Sequence, residues 1–246
     1  RRSLAAFEND LAPPSRLALE LVGDGLRYSI AQCDARLLVV DRDWESSRAA
    51  QLDEAQAALP RLLIDGDAAF VRGLAAFEAP PPVAASSRSA CTIIYTSGTT
   101  GLPKGVVNSH NAYVAAGRAT VGALALTHED RILVFLPLFH VNPQMYAVMS
   151  ALVTGAALIL LPRFAASTFF DDAIRFGATG FTFVGTVLSI LVARHERERR
   201  DHRMRFCFGG GAPKPTWEAV EQRSGVAMSV PLYLSASSAT VLPMRT

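Results

Sequence analysis

The chain has 246 residues, half of them apolar and 19% charged, with a net charge of +2. That is globular material with ample core for one large domain or two small ones. The basic excess is too small and too scattered to mark a nucleic-acid or membrane-surface partner, and Cys33, Cys91 and Cys207 have neither metal-ligand nor redox spacing, a sparse odd count that suits a reducing compartment, the cytoplasm.

The first residues, RRSLAAFENDLAPP, carry acids and prolines where a signal peptide needs an apolar stretch, so no export signal is expected. Residues 24–64 read as helix, strand (36–40), helix (46–59) and short strand (61–64). The Pro- and Ser-rich run 79–90 reads as a surface linker. From Cys91 onward the alternation is regular. Strand 91–95 leads through a polar loop to a helix over 111–124. Strand 131–135 precedes a helix near 143–153, and strand 156–161 precedes helix 168–176, with Ser167 as N-cap and Gly177 as C-terminal stop. Strand 180–184 leads into helix 186–195. Strand 205–208 ends in three glycines and a helix over 215–223. The run 146–161 is apolar but too short to span a membrane, and Thr154-Gly155 breaks it. The pattern predicts an α/β fold with a doubly wound, mostly parallel sheet and flanking helices. Ligands of such sheets sit beyond the C-terminal strand ends, so one crevice is expected to gather three loops: residues 95–106, 137–144 and 209–213.

The first of these, YTSGTTGLPKGV (95–106), has the chemistry of a phosphate cradle. Gly98 and Gly101 let backbone N–H groups approach an anion. Thr96, Ser97, Thr99 and Thr100 supply hydroxyls, and Lys104 a compact positive charge. The spacing is not that of a Walker A loop. Counting from Gly98, the second glycine would fall at Pro103, and Gly105 rather than Ser or Thr follows the lysine.

Two further stretches stand out. DRILVFLPLFHVNPQMY (130–146) puts His140 after a strand, with Val141, Asn142 and Gln144 beside it; alone, such a histidine reads as a satisfied structural residue. RFCFGGGAPKP (205–215) lets backbone lie flat at Gly210 and Gly211, with Ala212 keeping the surface thin and Pro213 stiffening the exit; alone it reads as a glycine-rich turn. FTFVGTVLSILVAR (181–194) suits either a core helix or a pocket wall. RHERERRDHRMR (194–205) reads as a solvated helix end, with His195 and His202, like His128, exposed.

Together these stretches resemble the adenylate-forming superfamily of acyl-CoA synthetases, peptide-synthetase adenylation domains and luciferases, from about Gly23 to Gly225. The resemblance implies activation of a carboxylic acid by ATP and Mg²⁺ to an acyl-adenylate, then transfer to coenzyme A. It implies that residues 96–101 and Lys104 hold the β- and γ-phosphates, with Thr99 or Thr100 near the metal. His140 would gate the acyl pocket, whose wall includes Val141, Val184, Gly185 and Thr186. Gly210 to Pro213 would contact adenine. The absence of an acid in PLFHVNPQ favours a CoA ligase over an amino-acid-activating domain, the alternative.

The resemblance fades at both ends. Residues 1–22 fit poorly, and the stretch 223–246 contains no Asp or Glu where the family carries an aromatic-Gly-x-Thr-Glu motif. The expectation is a partial adenylation domain over 23–225 with a divergent tail at 226–246, without the family's C-terminal domain. A catalytically incomplete remnant that at most binds nucleotide is the third reading.

Overall fold

A strand that is apolar at every position needs cover on both faces, and the chain from residue 110 onward supplies both the strands and the cover. The computed structural model describes residues 22–64, 86–96 and 102–229, with the backbone of 15–16 and 240–241. By internal contacts the chain forms two units, Arg1–His110 with Ser238–Thr246, and Asn111–Ser237.

In the first unit, β1 (Ser15–Arg16) precedes α1 (Gly23–Gln32), β2 (Leu38–Asp41) and β3 (Arg61–Ile64). Leu26 and Ile30 of α1 pack with Leu38 and Val40 of β2 in a small core. β2 and β3 pair in parallel. The single helix expected over 46–59 is three pieces: α2 (Arg42–Arg48), a 3₁₀ turn (Ala49–Gln51) and α3 (Glu54–Ala57). The cause is a second cap inside the run. Asp41 accepts from the Trp44 N–H at 2.6 Å and Asp53 from the Gln56 N–H at 2.8 Å, so the helix restarts rather than continues.

β4 (Ala90–Thr96) and β5 (Lys104–Ser109) form an antiparallel hairpin, with Ile93 opposite Val107 and Thr96 opposite Lys104. β1 adds in parallel to the outer edge of β4, and Thr240–Val241 pairs antiparallel with β5. The strand β5 corrects the expectation of a loop running straight into a helix. Part of the linker expected at 79–90 is also reassigned, since Ala90 is already in β4; its residues 79–85 lie outside the described residues.

The second unit begins with α4, which spans His110–Leu124 as a whole. It is followed by β6 (Arg131–Val134), a π-helix (Asn142–Val148), α5 (Met149–Thr154) and β7 (Ala157–Leu160). Then come α6 (Phe169–Arg175), β8 (Gly180–Val184), α7 (Gly185–Arg194), β9 (Phe206–Gly210), α8 (Lys214–Ser224) and β10 (Ala227–Ser229). The strands pair in the order β10-β9-β8-β6-β7, all parallel. β10 comes from the stretch the sequence left without an element.

Alternate residues face opposite sides. Leu133, Phe181 and Cys207 pack with Phe169 of α6, Leu188 of α7 and Val220 of α8. Ile132, Phe206 and Phe208 pack with Leu124 of α4 and Ala147 of the π-helix. Helices therefore cover both faces, as the doubly wound expectation requires. Gly180 carries no side chain because the Phe206 ring crosses it: a Cβ there would lie 2.1 Å from the ring. At this same N-terminal end of the strands, Asp130 is buried and accepts from the Thr127 N–H (2.8 Å), the Thr179 hydroxyl (2.7 Å) and the Arg205 guanidinium (2.7 Å). Arg205 also closes the C-terminus of α4 through the carbonyls of Leu124 and Ala125. Thr168, not Ser167, precedes α6 as its N-cap residue.

Candidate functional site

The glycine- and hydroxyl-rich loop is the end of the β4–β5 hairpin. The facing pair Thr96 and Lys104 closes it, and Lys104 is exposed at the first position of β5. Ser97, Gly98, Thr99, Thr100 and Gly101 lie outside the described residues. The stem is anchored by Tyr95, whose hydroxyl donates to the Ser29 carbonyl of α1 at 2.9 Å. Burial, and then the neighbouring Cys33, push the Tyr95 phenol far above its ordinary range, so it stays a neutral donor. A hairpin end differs from a Walker A loop, which opens a helix.

In the second unit the C-terminal ends of β8 and β9 form a thin platform. Val184 pairs with Gly210. A Cβ on Gly185 would lie 1.9 Å from the Gly211 carbonyl oxygen, and one on Gly209 would lie 2.0 Å from the Phe183 carbonyl oxygen. The two strand ends therefore approach backbone to backbone. Gly211 has φ +79°, a conformation glycine adopts without penalty, and Pro213 caps α8. These contacts bring together Val184, Gly185 and Thr186 of one sequence stretch and Gly210 to Ala212 of another.

The histidine segment joins the same platform. The Asn142 side chain donates from Nδ2 to the Phe183 carbonyl at 3.1 Å. His140 and Val141 directly precede it and are exposed; the His140 ring lies 4.3 Å, centroid to centroid, from Phe139. Gln144 is a structural residue: Oε1 accepts from the Tyr113 hydroxyl at 2.6 Å, and Nε2 donates to the Leu138 carbonyl.

Gly210 differs from its neighbours. No described atom lies within 4 Å of where its Cβ would be, and its φ is not positive. Neither packing nor backbone conformation among the described residues calls for glycine there.

Two histidines depart from expectation. His202 stacks on Phe170, rings 5.5 Å apart and 14° from parallel, and accepts from the Met204 N–H at Nδ1. His195 meets the edge of Phe170, with Nε2 2.7 Å from the Ala166 carbonyl oxygen. The helix ends at Arg194, and the arginine-rich segment after it is pinned. Arg199 pairs with Asp171 and Asp201, and Arg200 donates to the Gln222 carbonyl. The charged sequence around these histidines gave no signal that Phe170 would cover them.

Tyr95 and Asn142 were not singled out as anchors by the sequence. Tyr95 stood in the loop motif and Asn142 beside His140, but their partners, Ser29 and Phe183, are distant in the chain. Among the described residues no group of three or more His, Cys, Asp or Glu is placed to hold a metal, and no helix is long and apolar enough to cross a membrane.

A doubly wound α/β unit with a glycine-thinned platform at its C-terminal strand ends is a ligand-binding architecture. The family model for AMP-binding enzymes matches residues 13–233, and the chain belongs to that family. It is 33% identical over 216 residues to human long-chain fatty acid transport protein 5, covering 82% of this chain and 31% of that protein. It is 33% identical over 210 residues to sulfoacetate–CoA ligase of Cupriavidus necator, covering 82% and 40%. The medium/long-chain-fatty-acid–CoA ligase FadD6 of Mycobacterium tuberculosis is 30% identical over 220 residues, covering 86% and 36%. The chain thus spans about a third of the length of these relatives. In fold it is similar to the N-terminal domain of FACL13 from Mycobacterium tuberculosis, with a TM-score of 0.77 at 19% identity over 91% of this chain and 57% of that one. It is also similar to o-succinylbenzoate CoA synthetase from Bacillus subtilis, at 0.68 and 24%, over 88% and 42%.

Proposed function

We propose that the chain carries the nucleotide- and acid-binding part of an acid–thiol ligase: ATP activates a carboxylic acid to an acyl-adenylate, and the acyl group then passes to coenzyme A. The observation that carries this reading is Gly210. Gly185, Gly209 and Gly211 each have a reason inside the protein to lack a side chain, while Gly210 has none among the described residues. A flat ligand lying on the strand end supplies the reason, and adenine is that ligand in this reading, bordered by Gly211, Ala212 and Pro213.

The remaining roles follow from residue chemistry. The attack of a carboxylate oxygen on the α-phosphorus needs positioning and charge neutralisation, not an enzyme nucleophile. Lys104 and the hydroxyls of Thr96, Ser97, Thr99 and Thr100, with the backbone at Gly98 and Gly101, are assigned to the β- and γ-phosphates. Mg²⁺ arrives with the nucleotide, and Thr99 or Thr100 supplies the hydroxyl contact. His140 and Val141 face the acid, with Val184, Gly185 and Thr186 as the opposing wall. The relatives named as CoA ligases support a small carboxylic acid as substrate, and fatty acids are the class named both in the FadD6 ligase and in the transport proteins. Cys33, Cys91 and Cys207 form no disulfide with one another, which suits the reducing cytoplasm. In this reading the adenylation unit runs over 23–225, with 226–246 as a divergent tail.

Exchange of labelled pyrophosphate into ATP, run with a panel of carboxylic acids, tests the reading. Acid-dependent exchange is expected. ATP binding without exchange for any acid selects the remnant reading, a chain that at most binds nucleotide, which the acid-free stretch 223–246 favours. Absence of ATP binding contradicts both.

A further inference from the structure

Asn142 and Phe183 stand 41 residues apart, and the bond from the asparagine Nδ2 to the Phe183 carbonyl fastens the histidine segment to the end of β8. The other end of the same amide, Oδ1, is shielded from water and has no partner among the described residues. Turning the amide over would only set Oδ1 against the Phe183 carbonyl oxygen, two acceptors face to face. The unpaired end is therefore part of the arrangement. A buried amide oxygen without a donor is destabilising, which leaves little net gain for a residue that serves stability alone. One residue back along β8, Thr182 is fully buried, and its hydroxyl is also without a partner among the described residues.

The surroundings are open rather than core-like. Val141 and Val184 are each 40% exposed, and His140 and Thr186 are exposed beside them. Residues 142–148 are wound as a π-helix, a form that recurs at functional sites.

We propose that Asn142 is the positioning residue of the acid site: its side-chain amide holds the His140–Val141 segment against the Val184–Thr186 turn, so that the two walls keep a fixed separation for the acyl group. The proposal rests on the acid-activating reading above. Asn142 acts through His140, Val141 and the β8 end; its tolerated orphan oxygen marks a residue kept for that geometry rather than for stability.

Binding of 5′-O-sulfamoyladenosine, and of its octanoyl and benzoyl derivatives, separates the nucleotide and acyl contributions in the whole chain. For the wild type, at least one acyl probe is expected to bind about tenfold or more tighter than the unacylated compound. Asn142→Leu breaks the tie and removes the orphan oxygen at similar volume. It is expected to leave sulfamoyladenosine affinity unchanged, to cut the acyl gain below about threefold, and not to lower the melting temperature. Asn142→Asp, which sets a carboxylate oxygen against the Phe183 carbonyl, is expected to lose the acyl gain likewise and serves if the leucine variant does not fold. An acyl gain retained in the variants overturns the proposal. So does a parallel loss of both affinities with a lowered melting temperature, the signature of a purely structural bond. A wild type that binds sulfamoyladenosine with no acyl gain, or binds none of the probes, instead defeats the acid-activating reading beneath it.

Discussion

The carbonyl oxygen of Gly211 lies 1.9 Å from where a Cβ on Gly185 would stand, so the turn after β8 and the turn after β9 touch through bare backbone. Two loops that a side chain would hold apart become one surface. The same economy holds two residues earlier in each stretch, where Gly209 meets the Phe183 carbonyl.

Gly185→Ala and Gly209→Ala are therefore expected to destabilise the fold. Each forces a methyl group into backbone that cannot swing aside, a cost of about 2–3 kcal/mol. In a chain of this size that lowers the melting temperature by roughly 5–10 °C. Thermal unfolding followed by circular dichroism measures it; unchanged melting in both variants would contradict the packing described.

Asp130 gives a pH dependence with a definite sign. Burial alone would raise its carboxyl, but the hydrogen bonds from Thr127, Thr179 and Arg205, with the Arg205 charge, outweigh burial and hold it below the ordinary carboxylate range. Its contribution is complete above the unfolded-state value near 4 and is lost as the pH falls through the lower folded-state value. Asp130→Ala is expected to cost about 2–4 kcal/mol at neutral pH, since it leaves Arg205 and Thr179 without their acceptor. The cost shrinks below pH 4. Urea melts at pH 7 and pH 3 make the comparison.

His202 works at milder acidity. Burial against Phe170 is the main cause that lowers its pKa, only partly offset by a hydrogen bond with the Arg199 backbone and then by the charge of Asp201. The folded chain therefore keeps the ring neutral while the unfolded chain takes up a proton. The associated stability is whole above about pH 6.5 and declines as the pH falls toward the folded-state value. His202→Phe preserves the stack and is expected to flatten the stability profile between pH 7 and pH 5. An equally steep profile in the variant would show that other groups carry it.

Much of this fold was legible in the sequence because local pattern and tertiary outcome agree. The strand Gly180–Val184 and the short strand Arg61–Ile64 fall where the apolar residues place them. β5 was not legible. KGVVNS offers only two adjacent apolar residues, and its strand character comes from pairing with β4 across the loop. The broken helix over 42–57 depends on Asp53 acting as a cap, a choice made between equivalent-looking acids. The π-helix has no sequence signature at all.

The candidate site was legible as motifs but not as geometry. The glycines, hydroxyls and His140 could be read off directly. The backbone contact of Gly185 with Gly211, the open position at Gly210 and the bond from Asn142 to Phe183 depend on strand register, and register appears only when the sheet is assembled.

Lys104 is expected to act on the terminal phosphates, not on the base. Lys104→Ala should weaken Mg-ATP binding by about tenfold or more, the scale of a lost charge-assisted hydrogen bond. It should leave AMP binding within about twofold. Parallel titrations with the two nucleotides decide it, and an equal loss for both would assign the lysine elsewhere.

The most direct test of nucleotide binding at the β9 end is a Mg-ATP titration of Gly210→Ala beside the wild type, with melting temperatures recorded on the same samples. The added methyl meets no described atom and needs no change of backbone, so melting is expected to stay level or rise slightly, while ATP affinity falls about tenfold or more. An alanine variant that binds ATP as tightly as the wild type would contradict the account.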